Sequence, residues 1–323
     1  GFTFDWYKKN TTDLLAGVNV PGYSGGDKEY GRTEITTNVG SMMNRGWEIG
    51  IRYNVIRTRD WNWDTSLNLA RNVNKVTDIG ENDIIYGDTF RGTGKLSPFV
   101  IMKGEALGAI RGLHYLGIWQ ESEASEAALY GQYPGDYKYY DKDGDHSYDP
   151  DDYEIIGKSN PDLSLGFNNT VTWKNFTMNI LFDAVFGRDV LNYTYMMINE
   201  RQEGWYTAAT SKNRWTPSNP DAEFCKAGSN SAQVQMLSDH YMQDASYIKL
   251  RNLSLAYRIP RKAFKWADVQ VSVSGQNFLT ITKYKGYDPE VNSNSDGNDV
   301  SAGCDYYAYP LPASFSFGLT ITY

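Results

Sequence analysis

The sequence has no run of apolar residues near the roughly 18 that a membrane-spanning helix requires, and its mean hydropathy is −0.55. Transmembrane helices are thereby excluded, although membrane-crossing strands are not. Cysteine is almost absent: Cys225 and Cys304 are too few for a disulfide scaffold and too far apart for a CxxC metal or redox pair. Basic residues are in deficit, 31 against 39 acidic, for a formal charge of −8. Nucleic acid is therefore excluded as a partner, because surfaces that bind it collect Lys and Arg. His114, His146 and His240 are the only histidines and show no HExxH spacing. Neither a zinc site nor a His-based triad has support. Helical periodicity is missing except around Glu121 to Tyr130, and neither an initiator Met nor a charged-then-apolar leader stands at Gly1. The chain opens inside what reads as a strand and is expected to be a fragment of a longer protein.

What the 323 residues do have is aromatics, 15% of the total, within 41% hydrophobic and only 22% charged. Disorder, coiled coil and collagen are incompatible with that mix. The organising signal is alternation, which sends successive side chains to opposite faces of a strand. In Ser314 to Tyr323 the odd positions are Phe315, Phe317, Leu319, Ile321 and Tyr323, while the even ones are Ser, Thr or Gly. Leu163 to Trp173 alternates up to a turn at Lys174-Asn175, and Phe176 to Ala184 alternates away from it, which predicts a hairpin with one apolar face. Trp47 to Val55 and Trp61 to Leu69 flank a turn at Arg57 to Asp60, and Leu253 to Ile259 and Val269 to Val273 flank Pro260 to Ala267.

Those three connections are short, whereas the intervening ones, approximately Asn10–Asn44, Asn72–Pro98, Gln120–Pro161, Gly187–Asp244 and Thr282–Pro310, are long. Short turns at one end and long loops at the other predict an all-β fold, a transmembrane antiparallel β-barrel with periplasmic turns and extracellular loops. With a weak pair at Phe99 to Met102 and Leu107 to Trp119, about ten strands are expected. Trp47, Trp61, Trp63, Trp173 and Tyr257, near strand ends, suit interfacial girdles. The competing architecture is a soluble β-sandwich whose apolar face meets a second sheet; the small polar residues on the other face favour a wet lumen instead.

Several stretches carry a family resemblance. Asp244 to Val291, DASYIKLRNLSLAYRIPRKAFKWADVQVSVSGQNFLTITKYKGYDPEV, resembles the C-terminal part of the SusC/RagA-like TonB-dependent outer-membrane transporters. So do NVGSMMNRGWEIGI (Asn38 to Ile51), GEALGAIRGLHYLGIWQ (Gly104 to Gln120), IIGKSNPDLSLGF (Ile155 to Phe167), RWTPSNPDAEF (Arg214 to Phe224) and FSFGLTITY (Phe315 to Tyr323), in family order over nearly the whole chain. The resemblance implies a twenty-two-stranded barrel closed by an N-terminal plug, of which residues 1–323 supply about the last ten strands; the plug and the first strands lie outside this sequence. It also implies a bacterial outer-membrane location and import of nutrient oligomers, oligosaccharide or oligopeptide. A SusD-like surface lipoprotein would lid the barrel, and TonB would pull on the missing plug. The terminal Tyr323 resembles the recognition signal of the insertion machinery. A secreted carbohydrate-binding β-domain is the alternative.

The strongest site signal is DKDGDHSYDPDD, Asp141 to Asp152. A calcium loop wraps a hard cation with oxygen ligands at alternating positions. Asp141, Asp143, Asp145, Asp149 and Asp152, with the Ser147 carbonyl, fall at those positions. His146 replaces the expected glycine, which is survivable because His tolerates positive φ better than most residues; Asp152 stands where Glu reaches further. The bland reading is a solvated acidic loop. Enzyme signals are weak. Gly22-Tyr23-Ser24-Gly25-Gly26 fits G-x-S-x-G without a strand-to-helix setting, Gly92-Thr93-Gly94-Lys95 lacks half of a phosphate loop, and no carboxylate pair is singled out. The reading is of a non-enzyme. Tyr137, Tyr139, Tyr140, Trp205, Tyr206, Trp215, Tyr306 and Tyr307 cluster in the long loops. They could stack on sugar rings, grip peptide side chains or meet a lid, or else pack the loops together. Cys225 and Cys304 also fall in outer loops, where a disulfide could persist.

Overall fold

The computed structural model describes residues 1–19, 34–87, 97–200, 209–229, 236–293 and 302–323. Eight strands form one antiparallel sheet in chain order: β1 (Phe2–Asn19), β2 (Glu34–Arg57), β3 (Trp61–Asp78), β4 (Leu163–Trp173), β5 (Phe176–Phe186), β6 (Tyr247–Ile259), β7 (Asp268–Thr282) and β8 (Ser314–Thr322). Among the described residues no helix is long and apolar enough to cross a membrane.

The register shows why the alternation reads as a wall. Directly opposed residues share a face, and the rows run unbroken across strands. Trp61 faces Trp173, which faces Phe176, then Tyr257, Val271 and Leu319. Two residues further on, Trp63, Val171, Met178, Leu255, Val273 and Phe317 form the next row. One face is therefore largely apolar, and where the next row places Thr65 opposite Asn169, Asn169 Oδ1 accepts from Trp63 Nε1 (3.0 Å). The other carries Thr170 hydrogen-bonded to Asn179 (2.8 Å), Asn179 to Ser254 (3.3 Å) and Asn54 to Asn62 and Asp64 (2.8 and 2.7 Å). A shallow groove on that face is lined by Thr3, Asp5, Glu48, Asn68, Ser164 and Asp183.

Two expectations change. The wall has eight strands among the described residues, because Phe99–Met102 and Ala109–Gly112 leave it. These four-residue strands belong to a separate sheet with Ile84–Tyr86 and Glu154–Lys158. Phe99, Val100, Ala109 and Ile110 are sealed there at no more than 1% exposure, so their hydrophobicity serves a core rather than a bilayer. Conversely, the connection expected from Asn10 to Asn44 is mostly strand. β2 is 24 residues long, against the roughly 9 to 11 that a tilted strand needs to cross hydrocarbon. Beyond the bilayer a strand keeps its backbone ladder but no longer needs an apolar face, which is why Thr11, Thr12 and Asn44 gave no alternation. The G-x-S-x-G match at Gly22 to Gly26 and the stretch Gly92 to Lys95 lie outside the described residues.

The well-packed core lies in the loop layer rather than in the wall. Three clusters hold it: Leu113, Ile118, Tyr137, Tyr139, Tyr148, Trp215, Ala222 and Cys225; Phe99, Ile110, Leu191, Tyr193, Met196, Leu237, Tyr241 and Cys304; and Val190, Ala245, Tyr284 and Val291. The helical signal around Glu121 to Tyr130 resolves into consecutive turns, Glu121–Glu123, Ala124–Ala127 and Ala128–Tyr130. The helix Tyr193–Glu200 has no clear signal, since the one face it buries, Tyr193, Met196, Asn199 and Glu200, is half polar.

Candidate functional site

The acidic loop folds as a nest of side-chain-to-backbone turns, the conformation Asp favours when it caps its own chain. Asp141 Oδ1 accepts from the Gly144 N–H (2.7 Å), and its Oδ2 accepts from the His146 N–H (3.0 Å) and the Tyr130 hydroxyl (3.1 Å). Asp143 accepts from the Asp145 N–H (3.2 Å), and Asp145 from the Ser147 N–H (2.7 Å). The chain curls tightly enough that Gly144 and His146 both adopt left-handed φ, 77° and 64°. Carboxylate oxygens of Asp141, Asp143 and Asp145 consequently lie within 4.8 Å of one another.

Asp149 and Asp152 do not join that group. They cap the turn Pro150–Asp152: Asp149 accepts from the Asp151 N–H (2.8 Å), while Asp152, 1% exposed, accepts from the Asp149 N–H (3.1 Å) and the Lys142 N–H (2.7 Å). Electrostatics divide the three clustered carboxyls. Desolvation would raise Asp141, but the Gly144 and His146 N–H groups and the Tyr130 hydroxyl hold it below its ordinary value. For Asp143 the Asp145 N–H favours the charged form, yet desolvation and the charges of Asp145, Asp152 and Asp141 push it above the ordinary range. Three oxygens converging on one point, with mutual repulsion still unrelieved, suit a hard cation.

The aromatic candidates separate by burial. Tyr137 and Tyr139 are each 2% exposed and present no surface to a ligand or lid. Tyr137 donates to the buried Glu200 carboxylate, and its ring meets Tyr115 edge-on at 5.5 Å. Trp215, also buried, donates from Nε1 to Gln120 (3.0 Å). These three are packing residues because their hydrocarbon rings fill the loop core while their polar tips find partners. Tyr306 is half-buried against Tyr193, with centroids 5.4 Å apart. Tyr140 and Tyr307 remain exposed, and Trp205 and Tyr206 lie outside the described residues. Tyr133, Tyr287 and Tyr309, which the sequence reading passed over, are more exposed than either; each lies within a few residues of another tyrosine in a loop, and that clustering was the signal available.

The disulfide is not formed. Cys225 and Cys304 are free thiols buried in different clusters. Burial first, and then the charge of Glu200 with Cys225 Sγ 3.6 Å from its Oε2, pushes the Cys225 thiol up to about 12.

Sequence reasoning also missed an ionic clasp where a loop meets the wall. Lys249, 2% exposed on β6, binds Asp288 (2.5 Å) and Glu290 (2.6 Å), and Arg251 binds Glu290 and Asp183 (2.6 Å). Tyr247 donates to Glu290 (2.8 Å). Burial opposes ionisation of Glu290, but the Arg251, Lys249 and Tyr247 hydrogen bonds outweigh it and hold the carboxyl at about 2. Arg188 adds bonds to the Pro289 and Val291 carbonyls (3.1 and 2.8 Å). The run Gly286 to Val291 is thereby fixed to the wall.

A wall apolar on one face and polar on the other, with its packed core gathered in the loops at one end, defines a segment of an outer-membrane β-barrel rather than a soluble sandwich. No family model matches the chain. It is 33% identical to TonB-dependent receptor P3 of Formosa agariphila over 99% of its own length and 32% of the receptor's. It is 28% identical to TonB-dependent receptor SusC of Bacteroides thetaiotaomicron over 99% of its length and 30% of that protein. Its fold matches the structure of the RagAB peptide transporter with a TM-score of 0.78 at 23% identity, over the whole chain and 33% of that one. Along almost its whole length the chain resembles TonB-dependent receptors of the outer membrane, and it spans about a third of the length of the curated relatives it matches.

Proposed function

We propose that the chain is the C-terminal part of a TonB-dependent importer of nutrient oligomers. The observation that carries this reading is the largely apolar face over eight strands joined to a packed loop layer at the opposite end from the short turns. The remaining strands and plug of a full receptor would complete the barrel beside β1 and β8. A SusD-like lipoprotein would close over the loop layer, and TonB would act through the plug. The residues here supply wall and loops rather than chemistry. Exposed Tyr140, Tyr307 and Tyr309 are the rings available to a lid or cargo. Uptake of labelled oligosaccharide and oligopeptide pools by cells with and without the receptor, and with and without TonB, tests the reading. One pool should be lost in both deletions; uptake of both pools unchanged would contradict it.

For the acidic loop, the proposed role is structural calcium binding through Asp141, Asp143 and Asp145, with the Ser147 carbonyl, Asp149 and Asp152 completing the shell after rearrangement. Calcium suits protein oxygens on a flexible loop better than magnesium, which gives up water reluctantly. Affinity should be on the order of 10⁻⁴ to 10⁻³ M, as in extracellular modules. Calcium titration of the purified receptor should register one site that is lost in the Asp141→Ala, Asp143→Ala double variant. Equal uptake by both proteins would leave a merely solvated loop.

A further inference from the structure

We propose that the short-turn end of this wall binds the headgroups of anionic glycerophospholipids, through the basic and aromatic turn Pro260 to Ala267 and its neighbour at Lys174-Asn175. The inference rests on the barrel reading above, which puts the apolar face against lipid and the short turns at the periplasmic leaflet.

Charge is the first observation. The chain as a whole is acidic, at −8, yet the three short turns and their flanks carry Arg57, Arg59, Lys174, Arg258, Lys262 and Lys265. Among the described residues none of these six is in an ion pair, while Arg261 consumes Asp268 through two bonds (3.0 and 2.8 Å). In the loop layer, by contrast, Lys138, Lys158, Lys226, Lys249 and Lys285 each hold a carboxylate. Six cations without an ion pair thus stand together at the short-turn end, against Asp60 as the acid within those turns left without one, where they would attract anions.

Placement is the second. Directly adjoining those cations is a stacked aromatic row. Trp61 lies 5.5 Å from Trp173, Trp173 5.9 Å from Phe176, and Phe176 4.5 Å from Tyr257. Lys174 Nζ sits 5.6 Å from the Trp173 ring centre, so a cation stands at the depth of the girdle itself. The Arg258 N–H donates to the Asn175 carbonyl (2.9 Å), which ties the two turns side by side. Within Pro260 to Ala267 the sequence alternates bases with rings and contains no acid. Phe264 and Trp266 meet edge-on at 6.4 Å, and Trp266 remains 69% exposed. A tryptophan so exposed beside lysines matches the boundary where acyl chains give way to phosphates, with the ring in the interface and the cation on the headgroup.

The test uses the full receptor in neutral detergent, offered equal amounts of phosphatidylglycerol and phosphatidylcholine with identical chains, with retained lipid read by native mass spectrometry. Wild type should retain the anionic lipid with about tenfold preference. A K174Q, K262Q, K265Q triple variant should fall to within about twofold of no preference, whereas K103Q with K142Q at the loop end should keep it. The wild-type preference should also collapse at about 1 M salt, where charge is screened within roughly 3 Å. Equal retention of both lipids by wild type, or a preference indifferent to the triple variant and to salt, overturns the proposal. Heat-modifiable gel mobility of the same wild-type sample reports separately on the barrel: if it persists while lipid preference is absent, the lipid site alone fails.

Discussion

Replacing Lys249 with Met is expected to detach residues 284–293 from the wall. Lys249 is 2% exposed and its ammonium holds both Asp288 and Glu290, so its loss leaves Asp288 without a cation and Glu290 with Arg251 and Tyr247 alone. Removing one partner of such a buried group costs about 3 to 5 kcal/mol, and hydrogen exchange in the loop should quicken at least a hundredfold. The wild type should behave similarly in acid. The Glu290 carboxyl is held at about 2 against an ordinary 4.5. A depressed acid contributes stability that is complete above its unfolded pKa and is lost as pH falls through the folded one. Anchoring should therefore be full above about pH 5 and fade between about 4.5 and 2, whereas the variant is already released at pH 7. Equal exchange in both proteins at neutral pH would remove the clasp from the account.

The second large effect concerns insertion. Phe182 sits on the apolar face of β5, opposite Phe167 and Leu250, several rows in from the aromatic girdle. Phe182→Arg should cost about 2 to 4 kcal/mol, as lysine or arginine does near the bilayer midplane, and should lower the inserted amount severalfold in membrane fractions. Asn179→Arg, on the polar face of the same strand, should cost well under 1 kcal/mol, since a wet lumen accepts charge. Deletion of Tyr323 belongs in the same assay. As an assembly signal it should reduce insertion while leaving the unfolding of whatever inserts unchanged. Equal penalties for Phe182→Arg and Asn179→Arg would mean that both faces of the sheet meet the same solvent.

The sequence made the hydrocarbon-spanning part of the wall legible because period two is forced wherever one face meets lipid and the other water. Phe315 to Tyr323 shows it without interruption, and Leu163 to Ala184 shows it with Asn169 as an exception on the apolar face. Strand beyond the bilayer was illegible for the same reason: with water on both sides, Thr11, Thr12, Asn44 and Asn72 had no face to declare. The pair at Phe99 and Ile110 misled because four buried residues look alike in a wall and in a small packed sheet. The acidic loop was visible as spacing, including the positive φ at His146, but spacing could not reveal that Asp149 and Asp152 are engaged as caps. The Lys249 clasp depends on Glu290 meeting Lys249 and Arg251 across about forty residues, and nothing local marks that meeting. Nor could composition place Cys225 and Cys304 in two different cores.

The central claim is that one face of this sheet meets lipid and the other water. Spin labels introduced one at a time at Ile180 and Asn179, adjacent residues in the middle of the wall, test it in the full receptor reconstituted in bilayers. Relaxation of the label at 180 should be dominated by oxygen, which concentrates in hydrocarbon, and relaxation of the label at 179 by a water-soluble nickel complex. Equal accessibility to both reagents at the two positions would contradict the account.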